Sequence, residues 1–204
     1  MAQATTARKR TRSTKKATYV APIPGEETRI VIEHVTPQID CGRHPIKRVV
    51  NDTVYVQADI FRDGHDQVAA IVKYRLKGSG EWQEWPLTFI NNDRWGGSFT
   101  VREVGRYEYT IEAWTDLFGT WFSDMKKRLG VAQDVTSELL DGRRMIEQAH
   151  SRASGEDQER LAAALRTFDE GSEGMILHTV MKNEFAELVR RYPCLLYTSD
   201  AADE

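Results

Sequence analysis

The sequence predicts an antiparallel, immunoglobulin-like β-sandwich followed by a small α-helical bundle. Three observations carry this reading. Residues 55–122 hold 14 of the 19 Phe, Trp and Tyr residues in the chain, whereas residues 123–193 hold three. The aromatic part alternates apolar and polar residues with period two, as a pleated strand with one face on a core requires. The later part repeats apolar residues in steps of four and three, which is one face of a helix.

The elements follow in order. Residues 1–27 form a basic leader, in which residues 1–17 carry Arg8, Lys9, Arg10, Arg12, Lys15 and Lys16 and no acid. Arg29 to Val35 is the first candidate strand. Thr53 to Asp59 alternates, with Val54, Val56 and Ala58 on one side and Tyr55 and Gln57 on the other. Val68 to Tyr74 is rich in β-branched residues. Between these two, Arg62-Asp63-Gly64-His65-Asp66 reads as a hairpin turn, because Asp-Gly tolerates the left-handed backbone that tight turns need. Asn91-Asn92-Asp93 is a second turn, leading into a strand from Trp95 to Val101. Arg106 to Thr115 sets Tyr107, Tyr109, Ile111 and Ala113 against Arg106, Glu108, Thr110 and Glu112. Five or six short strands without an intervening helix predict a sandwich over residues 28–117.

A helical domain is predicted over residues 118–193, starting as helix from about Thr120. Val135, Leu139, Gly142, Ile146 and Ala149 share one helical face. Ser154 before Glu156 and Asp157 is an N-cap with acids in the first turn. Leu161, Leu165 and Phe168 repeat the stripe, and Gly171 and Gly174 interrupt it. Leu177, Met181, Phe185 and Leu188 form one further stripe, stopping at Arg190 and Arg191 before Pro193.

Composition narrows the function. The chain has 204 residues, 40% hydrophobic and 29% charged, which is the profile of a soluble globular protein. That length admits one or two domains and excludes a complete (β/α)₈ barrel with anything beside it. No run approaches the ~20 apolar residues of a membrane span, and the leader lacks the apolar stretch of a secretory signal. Cys41 and Cys194 make no disulfide framework, so a cytoplasmic location is expected. The leader contributes +6 to a net charge of −3, leaving −9 for the rest. No aromatic interleaves the leader's charges as single-strand binding would want, so it reads as solvated chain with no nucleic-acid partner.

No catalytic, cofactor-binding or metal-binding residues are assigned. Asp63, His65 and Asp66 have metal-ligating side chains, but three such groups around a glycine also describe a polar turn. Cys41 and His44 lack a third orienting group and an electropositive setting, so Cys41 reads as a passive thiol. Gly78-Ser79-Gly80 lacks the Lys and helix of a phosphate loop. Trp82, Trp85, Trp95 and Trp114 could stack on sugar rings, or fill a core. Trp95 and Trp114, within alternating segments, are expected to be mostly buried. Trp82 and Trp85, beside the Gly-Ser-Gly turn, are expected to be partly exposed.

Several ordered motifs together resemble one family. They are Val35-Thr36-Pro37-Gln38-Ile39-Asp40, Arg43-His44-Pro45-Ile46-Lys47-Arg48, Asp59-Ile60-Phe61-Arg62-Asp63-Gly64-His65-Asp66, Asn92-Asp93-Arg94-Trp95, Gly105-Arg106-Tyr107-Glu108-Tyr109 and Gln133-Asp134-Val135. Residues 28–192 resemble the N-terminal region of the bacterial α-1,4-glucan:maltose-1-phosphate maltosyltransferases of glycoside hydrolase family 13. Cys41 stands where the family usually has a second glycine.

The resemblance implies a sandwich with a helical insertion, ahead of a catalytic barrel and contributing to a homodimer interface. It implies that maltose 1-phosphate and α-glucan bind to the barrel, with a carboxylate nucleophile and a carboxylic acid/base giving retention. It implies no cofactor, and a further strand returning to the sandwich after the last helix. Cys194 to Glu204 does not resemble the family and reads as translated sequencing adaptor. The natural sequence is therefore expected to stop near Pro193 in a truncated gene, and a fragment without the barrel is expected to be inactive. A stand-alone carbohydrate-binding or interaction module is the alternative.

Overall fold

The computed structural model describes residues 30–131 and 133–193. The expectations for residues 1–17 and for the 194–204 tail therefore lie outside the described residues.

Among the described residues, seven strands form two antiparallel sheets. One has the order β1 (Ile30–Thr36), β2 (Thr53–Arg62), β6 (Arg94–Thr100), β5 (Thr88–Asn91). The other has the order β4 (Gln83–Pro86), β3 (Val68–Leu76), β7 (Tyr107–Thr115). Alternation along β2 buries Val54, Val56, Ala58 and Ile60 and leaves Tyr55 outside, as the sequence predicts. These residues meet Phe99 of β6, Ala70 and Val72 of β3, and Leu87 in one apolar core between the sheets. Tyr74 of β3 stacks on Phe99 with ring centroids 4.3 Å apart, joining the two layers.

The predicted hairpin at 62–66 is corrected. β2 and β3 lie in different sheets, so this segment carries the chain from one layer to the other. The Arg62 guanidinium explains the placement. Its Nη1 donates to Thr115 Oγ1 of β7 at 2.8 Å and pairs with Asp66 Oδ2 at 2.9 Å. The end of β2 is thereby held against the opposite sheet. The Asn92-Asp93 turn does close a hairpin, between β5 and β6, with both residues at positive φ (42° and 65°).

Five helices follow among the described residues: α1 (Leu117–Gly130), α2 (Thr136–Arg152), α3 (Gly155–Glu170), α4 (Glu173–Val180) and α5 (Asn183–Arg190). The α2 stripe is as predicted, with Val135 preceding the helix and Leu139, Gly142, Ile146 and Ala149 on it, all buried. Ser154 occupies the N-cap of α3, but its side chain makes no cap hydrogen bond.

Two expectations are corrected here. α1 begins three residues before Thr120, because the Asp116 carboxylate accepts from Gly119 N–H and caps it. The stripe from Leu177 to Leu188 is two helices, separated at Met181-Lys182. Val180 and Phe185 both bury, yet five helical residues place side chains roughly 140° apart around one axis. The extended backbone at Lys182 resets the phase and lets both face the core.

The helices share a second apolar core with no residue in common with the first. Gly142 is an essential point of contact within it. A Cβ there would come within 2.7 Å of Trp121 Cε2, while Trp121 Nε1 is anchored to Glu138 O at 2.7 Å. Gly142→Ala is expected to lose about 1–2 kcal/mol in urea denaturation, with overpacking outweighing the gain in helix propensity. An unchanged midpoint would show that Trp121 moves aside freely.

Candidate functional site

The four singled-out tryptophans are engaged in the fold to different degrees. Trp82 (36% exposed) has the Arg75 guanidinium over its ring at 4.3 Å. Trp85 (55% exposed) lies along Gly97 at the edge of the second sheet. Both are partly exposed, as expected. Trp95 and Trp114 are half-buried rather than deep. Trp95 meets Phe89 edge-on and donates from Nε1 to Ile60 O at 3.1 Å. Trp114 lines a narrow cleft between the second sheet and the helices, with Ala69, Phe118, Met145 and Val189.

The other sequence candidates do not converge. Asp66 pairs with Arg62, and among the described residues no three His, Cys, Asp or Glu side chains are placed to hold a metal ion. Cys41 is an exposed free thiol at positive φ in the turn closed by the Ile39–His44 bridge.

A polar cluster that sequence spacing did not reveal occupies the outer face of the first sheet. Its centre is Arg94 of β6. Nη1 donates to Asp59 Oδ1 at 2.9 Å and to His34 O at 3.1 Å. Nη2 reaches Thr36 Oγ1 at 3.3 Å, and Nε reaches Gln57 Oε1 at 3.4 Å. His34 Nδ1 lies 2.9 Å from Asp59 Oδ2. The register of β1 on β2 shifts between Glu33 and Thr36, and His34 has φ 50°. An extra residue in one strand leaves its carbonyl outside the ladder, and Arg94 donates to that carbonyl. One guanidinium thus fastens three strands and a bulge.

The Arg94 hydrogen bond, with help from His34, holds the Asp59 carboxyl below its ordinary value of 3.8. A lowered carboxyl pKa stabilises the fold fully above the unfolded value and loses that contribution as pH falls through the folded one. The stability difference between the parent chain and Asp59→Asn should therefore be largest above about pH 5 and shrink below pH 3.8. A difference that is flat from pH 6 to pH 3 would show that Asp59 stays protonated or unpaired.

Next to this cluster, on the same face, Tyr55, Gln57, Ile90, Gly96 and Ser98 line a shallow trough of about 260 Å³. Tyr55 is 72% exposed. The Ile90 side chain lies along Gly96, where a Cβ would meet Ile90 Cδ1 at 2.9 Å. The sequence alternation places Tyr55 outside.

The third polar feature is the junction between sheets and helices. Asp116, buried between β7 and α1, accepts from Arg190 Nε of α5 at 2.8 Å as well as from Gly119 N–H at 2.7 Å. Its own N–H donates to Gln67 O at 2.8 Å. None of these three places sets a nucleophile beside a base. What they offer is packing, strand fastening and a small neutral surface.

Comparison with known proteins adds the following. The family model for the N/S domain of α-1,4-glucan:maltose-1-phosphate maltosyltransferase matches residues 28–201, running past Pro193 into the segment that the sequence reading sets apart. Curated proteins bearing the enzyme's name are similar to this chain. The one from Myxococcus xanthus is 46% identical over 128 residues, covering 61% of this chain and 19% of its own length. The one from Chlorobaculum tepidum is 39% identical over 165 residues, covering 81% of this chain and 25% of its own. The one from Salinibacter ruber is 32% identical over 186 residues, covering 89% and 28%. The chain thus spans between about a fifth and just over a quarter of these relatives.

Proposed function

The chain belongs to the α-1,4-glucan:maltose-1-phosphate maltosyltransferase family through its N/S domain, and from that premise we propose that it is the non-catalytic N-terminal part of such an enzyme. The parent transfers maltosyl units from maltose 1-phosphate to the end of an α-1,4-glucan. Its barrel, of the family 13 glycoside hydrolase type, supplies the carboxylate nucleophile and acid/base for a retaining reaction. The parent works as a cytoplasmic homodimer. Within it the two facing sheets make an immunoglobulin-like sandwich, and the helices are its insertion.

The observation that carries this reading is the family match over residues 28–201, set against relatives of which the chain covers only 19–28%. One structural feature agrees with it. Among the described strands, β7 is paired on one side only, which leaves a row of backbone groups for a returning strand.

The test is direct. The 204-residue chain, incubated with maltose 1-phosphate and a malto-oligosaccharide, is expected to release no phosphate above blank. Release that a point mutation in this chain abolishes would overturn the proposal. The source DNA should read on past Pro193 into a barrel with paired carboxylates, and a frame that does not would equally count against it.

A further inference from the structure

We propose that the end of the two sheets opposite the helices is a docking surface for an acidic peptide segment that carries apolar side chains. Two loops meet at this end, where β2 and β7 begin and β6 finishes. Asn51 N–H donates to Val101 O at 2.7 Å, and Val101 N–H donates to Asp52 O at 3.1 Å. The first loop brings Lys47 and Arg48, and the second brings Arg102 and Arg106. All four are exposed, and among the described residues none has a carboxylate partner. Every other Lys and Arg between Ile30 and Asp116 does pair with a carboxylate: Arg43, Arg62, Lys73, Arg75, Lys77 and Arg94. Val49, Val50 and Val104 stand on the same two loops, 71%, 37% and 91% exposed. The loops are braced. Asp52 Oδ2 accepts from Val49 N–H at 2.9 Å, and Tyr107 Oη accepts from the N–H groups of Arg102 and Glu103 at 3.1 Å. A partner would therefore meet valines already held outward, with little left to order on binding.

Charge selects an anionic partner, and the rest of the chain limits its size. Lys47, Arg48, Arg102 and Arg106 against Asp52 and Glu103 leave a net +2 at this end, while residues 18–204 as a whole sum to −9. A wide anionic surface, such as a lipid bilayer, would meet the acidic remainder along with this end and be repelled. A narrow acidic segment meets this end alone, because charges beyond about 8 Å are screened at physiological salt. Nucleic acid is disfavoured for another reason. Valines offer no face on which a base can stack, and the Tyr107 hydroxyl is already engaged by main chain. A peptide satisfies both parts of the surface, with carboxylates on the cations and apolar side chains on the valines. The chain's own leader, at +6, has the wrong charge to occupy it. Nothing in this surface depends on the maltosyltransferase reading.

The probe is the blocked peptide Glu-Glu-Leu-Glu-Glu-Leu-Glu-Glu, titrated into the ¹⁵N-labelled 204-residue chain and followed by NMR. Amide shifts are expected at Val49, Val50, Arg102 and Val104. The leader's six cations also attract carboxylates, so the readout is the shift at these four amides and its dependence on their neighbours. Arg48→Glu combined with Arg102→Glu should weaken binding at this end at least about tenfold. Val104→Ser should weaken it about threefold, and so should replacing both leucines of the peptide by serine. Raising salt from about 50 mM to about 300 mM should weaken it further. The substituted side chains are exposed, so the variants should melt with the parent. Shifts confined to the leader, or equal binding by the Arg48→Glu, Arg102→Glu chain, would overturn the surface. Two further probes decide the partner class: vesicles of about one third phosphatidylglycerol in phosphatidylcholine, and a short DNA duplex. Binding to either that needs Arg48 and Arg102, and that is tighter than binding to the peptide, would overturn the peptide assignment.

Discussion

Leu161→Ala is expected to destabilise the helical unit by about 2–5 kcal/mol, the usual cost of emptying a fully buried leucine site. Leu161 has no exposed surface, and α3 buries only it and Ala164 completely. The remaining apolar contacts of α3, Leu165 and Phe168, are half-buried at the margin of the cluster. Leu161 is therefore the one large side chain of α3 that is fully buried, with little beside it to collapse into its place. A loss of this size is a large share of the ~5–15 kcal/mol that holds a typical domain folded. The two cores share no residue, so the effect should be local. Hydrogen exchange should rise in α2, α3 and α4 while the amides of β2 and β6 keep their protection. Equal loss of protection in β2 would mean that sheets and helices melt as one unit.

Where period and burial coincide over seven or more residues, sequence and structure agree. β2 and α2 are the clear cases, with Val54, Val56 and Ala58 on a strand and Leu139, Ile146 and Ala149 on a helix. β4 and β5 were not foreseen as strands, because each has four residues, all exposed, and offers no periodic burial to detect. The 62–66 turn was assigned to the wrong kind of connection for a different reason. Asp-Gly specifies a reversal of the chain, while the partner of each strand is set by pairing with β6 and β7, 30 to 50 residues further on.

The Arg94 cluster was hidden for the same reason, since its partners lie 35 to 60 positions away. Several motifs that carried the family resemblance prove to be fasteners. Asp59 and Arg94 pair, Tyr109 Oη donates to Pro37 O at 2.8 Å, and Trp95 donates to Ile60 O. Their residue types could be read from the chain. Their purpose needed the strands to be brought together.

Asp116→Ala is expected to cost about 2–4 kcal/mol, combining the loss of an N-cap with that of a charge-assisted hydrogen bond. The carboxylate sits where β7 ends, α1 begins and α5 passes, with 11% of its side chain exposed against 41% for Arg190. Because the arginine is substantially solvated, the ion pair itself is worth less than its 2.8 Å contact suggests. The cap carries the rest. The bonds from Thr120 N–H and Oγ1 to the main-chain Asp116 O at 2.9 Å, and from Gln67 N–H to Thr120 Oγ1 at 2.8 Å, do not use the Asp116 side chain and persist in every Asp116 variant. Asp116→Asn keeps a capping acceptor and loses the charge, so it should cost about half as much as Asp116→Ala. Arg190→Ala should fall between them or below, and a double-mutant cycle should find about 1 kcal/mol of coupling. Gly119→Ala should match or exceed the loss in Asp116→Ala, since its Cβ would collide with the Asp116 carboxylate and come within 2.6 Å of Arg190 Nη2. Denaturant midpoints for the four variants would decide the matter. If Asp116→Ala and Asp116→Asn lose equally and neither couples to Arg190→Ala, neither the cap nor the pairing of Asp116 with Arg190 contributes to the junction.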